Sequence, residues 1–516
     1  MSEASPSTSD GAPDWWRWAV ALPIVGLLAY MGVGTYADPD LWGHIRFGQL
    51  HLETGGLIRQ DPFAFVPTRV PWINHEWLSE VWFAMLYDLA GAWALIGFKL
   101  IGTLALFALV VATLRREDLD LIRSALLAVP FFFSVLIRLT VVRPHLFTLL
   151  AFAVLLLCLR AAERGRSRWL LALPVLFAAW VNFHGGFLAG LGVLGIWSLA
   201  RLGTGLARWK REGLAALRPW AVSAGVLALA AAATLINPYG FELPAFLVET
   251  ATVQRPYISE WQPLQIRSVV GAVYLLQLAL VVGGLIVSDR EFEPALVVPL
   301  AVITLLPLTA VRHVALFGLA APLLAGEHLA ALFRRAPDSS AEIRPWVRGA
   351  LAVLMVPVAG LLLWKSIPRL GCLELRPNSY PVRAVQWLDA SDAEPRLATF
   401  FNWGEYVIWH LGPETKVSMD GRRETVYPDS VYREYLSFIR GRDDWSSYLE
   451  KYGANAALVE VGQPPDNLLK LKPGWSEAYR DSLAVIHARE GSALLERSGL
   501  AVPDSVSVSG AGTCFP

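Results

Sequence analysis

Apolar residues fall in long runs between about position 18 and about position 365, separated by short polar or basic stretches. A helix needs roughly 20 apolar residues to cross a bilayer. The pattern predicts about eleven membrane helices, near 18–35, 92–113, 124–137, 146–160, 169–182, 187–203, 220–236, 269–288, 294–310, 313–331 and 349–366. Several are short for a crossing. Those ending at Asn182-Phe183-His184-Gly185-Gly186 and Asn237-Pro238-Tyr239-Gly240 predict helices that stop in a water-filled cavity.

The polar interval 36–91 holds two amphipathic stretches. Residues 40–53 bring Leu41, Ile45 and Leu52 near one helical face, and residues 75–89 bring Trp77, Leu78, Val81, Trp82 and Met85 to another. Such Trp-rich helices lie in the membrane interface. Beyond position 370 the period changes. Helix-like stretches (382–390, 431–440, 444–451) alternate with strand-like ones (397–401, 416–419, 456–459, 484–488), which predicts a small α/β or α+β domain. The expected organisation is an N-terminal tail 1–17, a membrane domain 18–369 with the long loop 36–91, and a soluble domain 370–516.

Composition agrees, with 55% hydrophobic and only 17% charged residues. Net formal charge is zero, so nothing points to nucleic acid. The basic residues are segregated: Arg115, Arg116 and Arg123, then Arg160, Arg164, Arg166 and Arg168, then Arg201, Arg208, Lys210, Arg211 and Arg218, then Arg290, Arg334, Arg335, Arg344 and Arg348. By the positive-inside rule these loops are cytoplasmic. Eleven spans then leave the N-terminus inside and the tail outside. The start lacks the basic flank and cleavage site of a signal peptide, so the first run reads as a retained helix. Abundant Leu, Ala, Arg and Gly with little Lys suits a GC-rich bacterial genome, hence a multi-pass protein of the cytoplasmic (inner) membrane. Cys158 reads as a small core residue, while Cys372 and Cys514 can pair in an oxidising compartment.

The outer side carries the chemistry. Six signatures fall there: Asp38-Pro39-Asp40, Asn74-His75-Glu76, Arg143-Pro144-His145, Asn182-Phe183-His184, Ser259-Glu260-Trp261-Gln262-Pro263 and Arg312-His313. Ionisable groups at the membrane boundary are costly and face a cavity or pathway. Asp38 and Asp40 can hold a divalent cation, or one can act as general base toward an acceptor hydroxyl. The same residues also make a good helix start, with Asp38 as cap and Pro39 at the first position. A capping Asp38 is expected to keep a depressed pKa, leaving Asp40 as the alternative base. Arg143 and Arg312 can grip phosphate or snorkel to headgroups. His145, His184 and His313 can relay protons, bond within a cavity or form a metal triad. Asn74 can cap the second amphipathic helix, with His75 and Glu76 as donor or acceptor contacts.

This layout resembles the GT-C superfamily of membrane glycosyltransferases, with an acidic first outer loop, two interfacial helices, many spans and a soluble outer C-terminal domain. Three stretches are similar to the catalytic subunit of oligosaccharyltransferases. They are Asp38-Pro39 with Arg46 and Gly55 downstream, Ser259-Glu260-Trp261-Gln262-Pro263, and Asn402-Trp403-Gly404-Glu405-Tyr406. The resemblance implies Asp38 and Glu260 as ligands of a divalent cation (Mg or Mn) or of the acceptor, and Trp403 and Glu405 as binding residues. Residues 138–145 lack the second acidic pair of those enzymes, so the likeness reaches the superfamily and not peptide glycosylation. The implied function is transfer of a sugar from a polyprenyl-phosphate donor to a glycan, lipid or protein acceptor on the outer face. The alternatives are a lipid-linked glycan translocase, which predicts inverted repeats not seen in the sequence, and an inactive GT-C-like scaffold.

Overall fold

The computed structural model describes residues 15–251, 253, 258–334, 344–376, 378–499 and 514–515. The N-terminal tail 1–14, Arg255-Pro256-Tyr257 before Glu260, and Arg335 lie outside the described residues.

The chain is mostly helical and begins with α1 (Trp15–Val33), α2 (Pro39–Thr54) and α3 (Trp77–Arg115). Next come α4 (Leu121–Arg138), α5 (His145–Glu163), α6 (Ala172–Phe183), α7 (Phe187–Glu212), α8 (Arg218–Ala233) and α9 (Glu242–Ala251). They are followed by α10 (Val269–Val287), α11 (Pro294–Leu305), α12 (Val314–Leu324), α13 (Gly326–Arg334) and α14 (Pro345–Ser366). Every stretch expected to span is largely helical. By length and apolarity, 7 helical segments among the described residues can cross a membrane, or 8 if the pair bent by 73° at Ala325 is one span. One of them, Phe187–Ala233, contains both α7 and α8. α8 folds back on α7 there, with Ser198 and Ser223 hydroxyls 2.9 Å apart. Shorter apolar helices, Ser167–Phe183 and Pro294–Leu308, stand beside them.

α3 contains both the second amphipathic stretch and a span. Non-helical angles at Ala90 and Gly91 separate the two, and Gly91 supplies the positive φ of 55° that the kink requires. Elsewhere the helix signals act locally: Asp120 caps α4 through the Ile122 and Arg123 amides, and Gly55 closes α2 with φ 65°.

The tail adds α15 (Val382–Ala390), α16 (Gly404–Leu411), shorter helices and, among the described residues, five strands. The strands are β1 (Arg396–Thr399), β2 (Lys416–Val417), β3 (Ala456–Glu460), β4 (Trp475–Arg480) and β5 (Ala484–Arg489). They form one mixed sheet of order β2-β1-β3-β5-β4, parallel at β2-β1-β3 and antiparallel at β3-β5-β4. β4 escapes the sequence pattern because a register shift between Glu477 and Tyr479 breaks its alternation.

Two hydrophobic cores result. One fills the helix bundle, from Leu106 on α3 to Leu329 on α13. The other is shared by the loop 36–91 and the tail, where Trp42, Phe47 and Trp72 lie in the same core as Trp387, Tyr406 and Ile486. Arg422 locks this joint. Its guanidinium donates to Asp420 (2.7 Å) and to Asp61 (2.5 Å) across the interface, with Phe47 and Trp72 against it. Asp61 is thereby buried. A disulfide between Cys372 and Cys514 closes the tail, and Phe515 beside it packs on Trp42.

Candidate functional site

The site begins where three segments meet. The Tyr36 amide donates to Thr140 O (2.9 Å) and the Ala37 amide to Glu374 O (3.0 Å). From beneath, the buried Lys99 ammonium donates to Thr35 Oγ1 (2.6 Å) and Leu139 O (2.7 Å). The segment before Asp38 is thus fastened to the segment before Arg143.

Asp38 takes the cap position of α2 but makes no side-chain cap hydrogen bond. Arg143 Nε donates to Asp38 Oδ2, and Arg143 Nη2 lies 2.7 Å from Asp40 Oδ2. One guanidinium therefore bridges both carboxylates of the Asp-Pro-Asp motif. The depressed pKa expected from capping amides does not arise, because those bonds are absent. Burial raises the Asp38 carboxyl, Arg143 opposes it, and the Asp40 charge adds to the rise. Asp38 Oδ1 is buried and has no hydrogen-bond partner among the described residues.

The tail reaches this motif through Glu405 on α16, whose Oε2 accepts the Gly43 amide hydrogen at 3.1 Å. Burial, then the Asp40 and Asp420 charges, push the Glu405 carboxyl well above its usual range. Glu405 and Asp40 converge on Gly421, where an added Cβ would lie 2.5 Å from Glu405 Oε1 and 2.8 Å from Asp40 Oδ1. Trp403 does not share this position. It is buried in the tail, donating from Nε1 to Ser379 O (2.9 Å) and packing edge-on against Phe400.

A second layer comes from the first half of α3. Asn74 Oδ1 accepts the Glu76 amide hydrogen (3.0 Å), and Asn74 Nδ2 donates to Glu80 Oε2 (2.5 Å). Glu80 Oε1 faces His44 Nδ1 on α2 at 3.4 Å. Burial opposes the His44 charge, but Glu80, Glu76 and Asp40 outweigh it and raise the imidazole to about 9. Glu76 Oε1 lies 3.5 Å from His184 Nε2 and 3.7 Å from His75 Nε2. His184 Nδ1 accepts the Gly186 amide hydrogen at 3.0 Å, which leaves the ring proton on Nε2, toward Glu76. The helix ends expected in a cavity dock here: Asn182 Oδ1 accepts from Trp77 Nε1, and Tyr239 OH accepts the Asn74 amide hydrogen.

A third layer is cationic. Glu260 is held by Arg138 at 2.8 Å and faces Arg312 at 3.7 Å, with Arg312 also over the Trp261 ring. Burial raises its carboxyl, but Arg138, Arg312 and Arg143 hold it down at about 2. His145 and His313 instead bond backbone carbonyls, of Arg138 (2.7 Å) and Leu306 (3.2 Å) respectively.

A groove of about 330 Å³ runs between α3, α5 and α6, lined by apolar side chains including Leu109, Val154, Leu176 and Phe183. Its wall joins the polar cluster: Trp180 Nε1 donates to Thr148 Oγ1 (2.9 Å), whose hydroxyl donates to His184 Nδ1 (2.7 Å).

Asp38 and Glu260 each face guanidinium groups, so a cation at either would have to displace an arginine. A three-ligand geometry occurs instead at His44, Glu76 and Glu80, whose ligand atoms lie within 4.8 Å of one another. His44, Glu80 and Arg138 were not singled out from sequence. The available signal was spacing, since Glu76 and Glu80 are one helical turn apart.

The fold has solved counterparts. ArnT from Cupriavidus metallidurans superposes with a TM-score of 0.54 at 16% identity, over 92% of this chain and 98% of that one. The arabinofuranosyltransferase AftD from Mycobacteria gives 0.52 at 17% identity, over 92% of this chain and 40% of AftD. The chain thus spans about two fifths of AftD. At these identities the likeness shows a shared fold, that of a polytopic helical membrane protein. No protein-family model matches the sequence. No curated protein matches it either.

Proposed function

We propose that this chain is an inverting membrane glycosyltransferase. It takes a sugar from a polyprenyl-phosphate donor and passes it to a glycan, lipid or protein acceptor on the outer face of a bacterial cytoplasmic membrane. The carrying observation is the apolar groove whose wall is hydrogen-bonded through Trp180 and Thr148 to His184, which faces Glu76 of the carboxylate cluster at 3.5 Å. A polyprenyl tail fits such a groove, and in this reading its phosphate is met by Arg138 and Arg312, whose charges act on His184, and by Arg143 beside Asp38. The fold likeness to an arabinofuranosyltransferase supports the same reading.

In this mechanism Asp38 is the general base. It has the free oxygen, and burial raises its proton affinity toward the operating range. The acceptor hydroxyl gives its proton to Asp38 as its oxygen bonds the anomeric carbon from the face opposite the phosphate. The bond from that carbon to the phosphate oxygen breaks, the phosphate keeps the electron pair, and the arginines stabilise its charge. Arg143 exchanges the aspartates for the phosphate when donor binds, which frees Asp40 to orient the acceptor. Glu405 supports Asp40 from the tail.

The extracytoplasmic placement of the tail is part of the proposal. It is supported by the Cys372–Cys514 disulfide, which suits an oxidising compartment. It is also supported by the Arg160–Glu117–Arg164 cluster at the opposite ends of the helices from Asp38. The test is turnover by purified protein with a panel of polyprenyl-phosphate sugars. Transfer from at least one donor is expected. No consumption of any donor would leave the scaffold alternative standing in its place.

A further inference from the structure

The close approach of α2 and α3 has a specific cause. Gly48 faces the backbone of α3, and a Cβ there would lie 2.0 Å from Glu80 O. Only a glycine lets the two helices come this near. One turn before Gly48 stands His44, and one turn before Glu80 stands Glu76. The contact therefore sets an imidazole against two carboxylates. His44 and Glu80 are buried, and the Glu76 side chain is 19% exposed.

We infer that His44, Glu76 and Glu80 bind a first-row divalent cation of the Zn²⁺ or Mn²⁺ kind. One nitrogen and two carboxylates suit such an ion better than Mg²⁺ or Ca²⁺, which favour all-oxygen sets. Ligands at about 2.1 Å from an ion stand at most about 4.2 Å apart. The present spread of up to 4.8 Å closes with side-chain shifts of well under 1 Å. The surroundings resemble an outer shell. Asn74 Nδ2 orients Glu80, and the buried, unpartnered His51 Nε2 stands 4.0 Å from Glu80 Oε2. His51 Nδ1 accepts the Ile58 amide hydrogen, so the ring proton sits on Nε2, which therefore faces Glu80 as a proton-bearing nitrogen rather than a ligand. Three protein ligands leave coordination positions open on the Glu76 side, the least buried of the three. The metal-free alternative is a charged His44 held between the two glutamates.

The experiment uses full-length protein in detergent, stripped with chelator and titrated with Mn²⁺ in the absence of any sugar donor. One Mn²⁺ per chain is expected by elemental analysis, with a directly coordinated imidazole nitrogen in pulsed EPR. His44→Gln should remove that nitrogen signal, and Asn74→Ala should weaken binding by about 10- to 100-fold. Wild-type protein that retains no Mn²⁺ or Zn²⁺ overturns the inference, as does bound Mn²⁺ without histidine coupling. Neither result needs a variant to fold. Because no donor is present, failure here is separate from failure of the glycosyltransferase reading.

Discussion

Gly43 on α2 and Glu405 on α16 are 362 residues apart, and the Gly43 amide donates to Glu405 Oε2 at 3.1 Å. This bond places a tail carboxyl one turn along α2 from Asp40. The position tolerates no side chain, since a Cβ on Gly43 would meet Glu405 Oε2 at 2.3 Å. Gly43→Ala should therefore push α16 away from α2, at a cost of about 1–3 kcal/mol. It should also reduce transfer, while the spans remain inserted. Thermal unfolding and limited proteolysis of the tail check this; unchanged stability and protease resistance would rule out the joint as described.

Asp38→Asn removes the proposed base without changing size. Loss of a base costs about 10² to 10⁴ in rate. Asp40→Asn should cost less, because Asp40 orients rather than accepts the proton. Asp38 makes no cap bond, so neither change should alter α2 helicity. Rates for both variants against the parent, alongside circular dichroism, decide the matter. Parental turnover in both would reduce the motif to a helix start.

Arg422 is buried with Asp61 and Asp420 as its partners. Replacing it by Leu leaves two buried carboxylates without a counter-ion, a loss of about 3–5 kcal/mol. Asp61→Asn should be milder, because Asp420 retains its hold on Arg422. Denaturant midpoints for the two variants give the order. Arg422→Leu as stable as wild type would mean that the pair does not hold the tail.

His410 lies within 4.5 Å of the Tyr406 ring and 5.5 Å of the Trp42 ring, and burial lowers its pKa to about 4. Between pH 6.5 and 4 the unfolded chain binds a proton that the folded chain refuses. Stability is therefore complete above pH 6.5 and falls as pH drops toward 4, by at most roughly 3 kcal/mol. His410→Phe should flatten this part of the melting temperature profile. An identical profile in the variant would assign the acid loss elsewhere.

Orientation is testable by cysteine labelling of intact cells. Asp429 and Arg166 are both exposed, and a cysteine at 429 should label from outside while one at 166 should not. Position 61, an outer-loop site by sequence, is unsuitable because Arg422 covers Asp61. Labelling at 166 alone would invert the topology and move the site to the cytoplasmic face.

Much of the architecture was already legible in the chain. Apolar runs marked the helices of the bundle except α9 (Glu242–Ala251), because a segment in lipid must satisfy its own backbone hydrogen bonds and cover itself with apolar side chains. The two first-loop helices and four of five strands followed from local periodicity, and β4 was lost where its bulge broke the period. The polar motifs at the helix ends were legible as a set, because charge at a membrane boundary is rare enough to be informative. Their pairing was not. Nothing local tells Asp38 that Arg143 rather than its own helix amides will hold it, or that Glu260 will face Arg138. Trp403 and Glu405 are two residues apart, yet one is packed in the tail and the other reaches α2. The sequence by itself determined which segments are apolar helices and which polar motifs stand at their ends, since these depend on transfer free energies of short stretches. Only the tertiary structure decided which carboxylate meets which guanidinium and where His44 meets Glu76 and Glu80, because those contacts depend on close approaches at Gly43 and Gly48 between segments far apart in the chain.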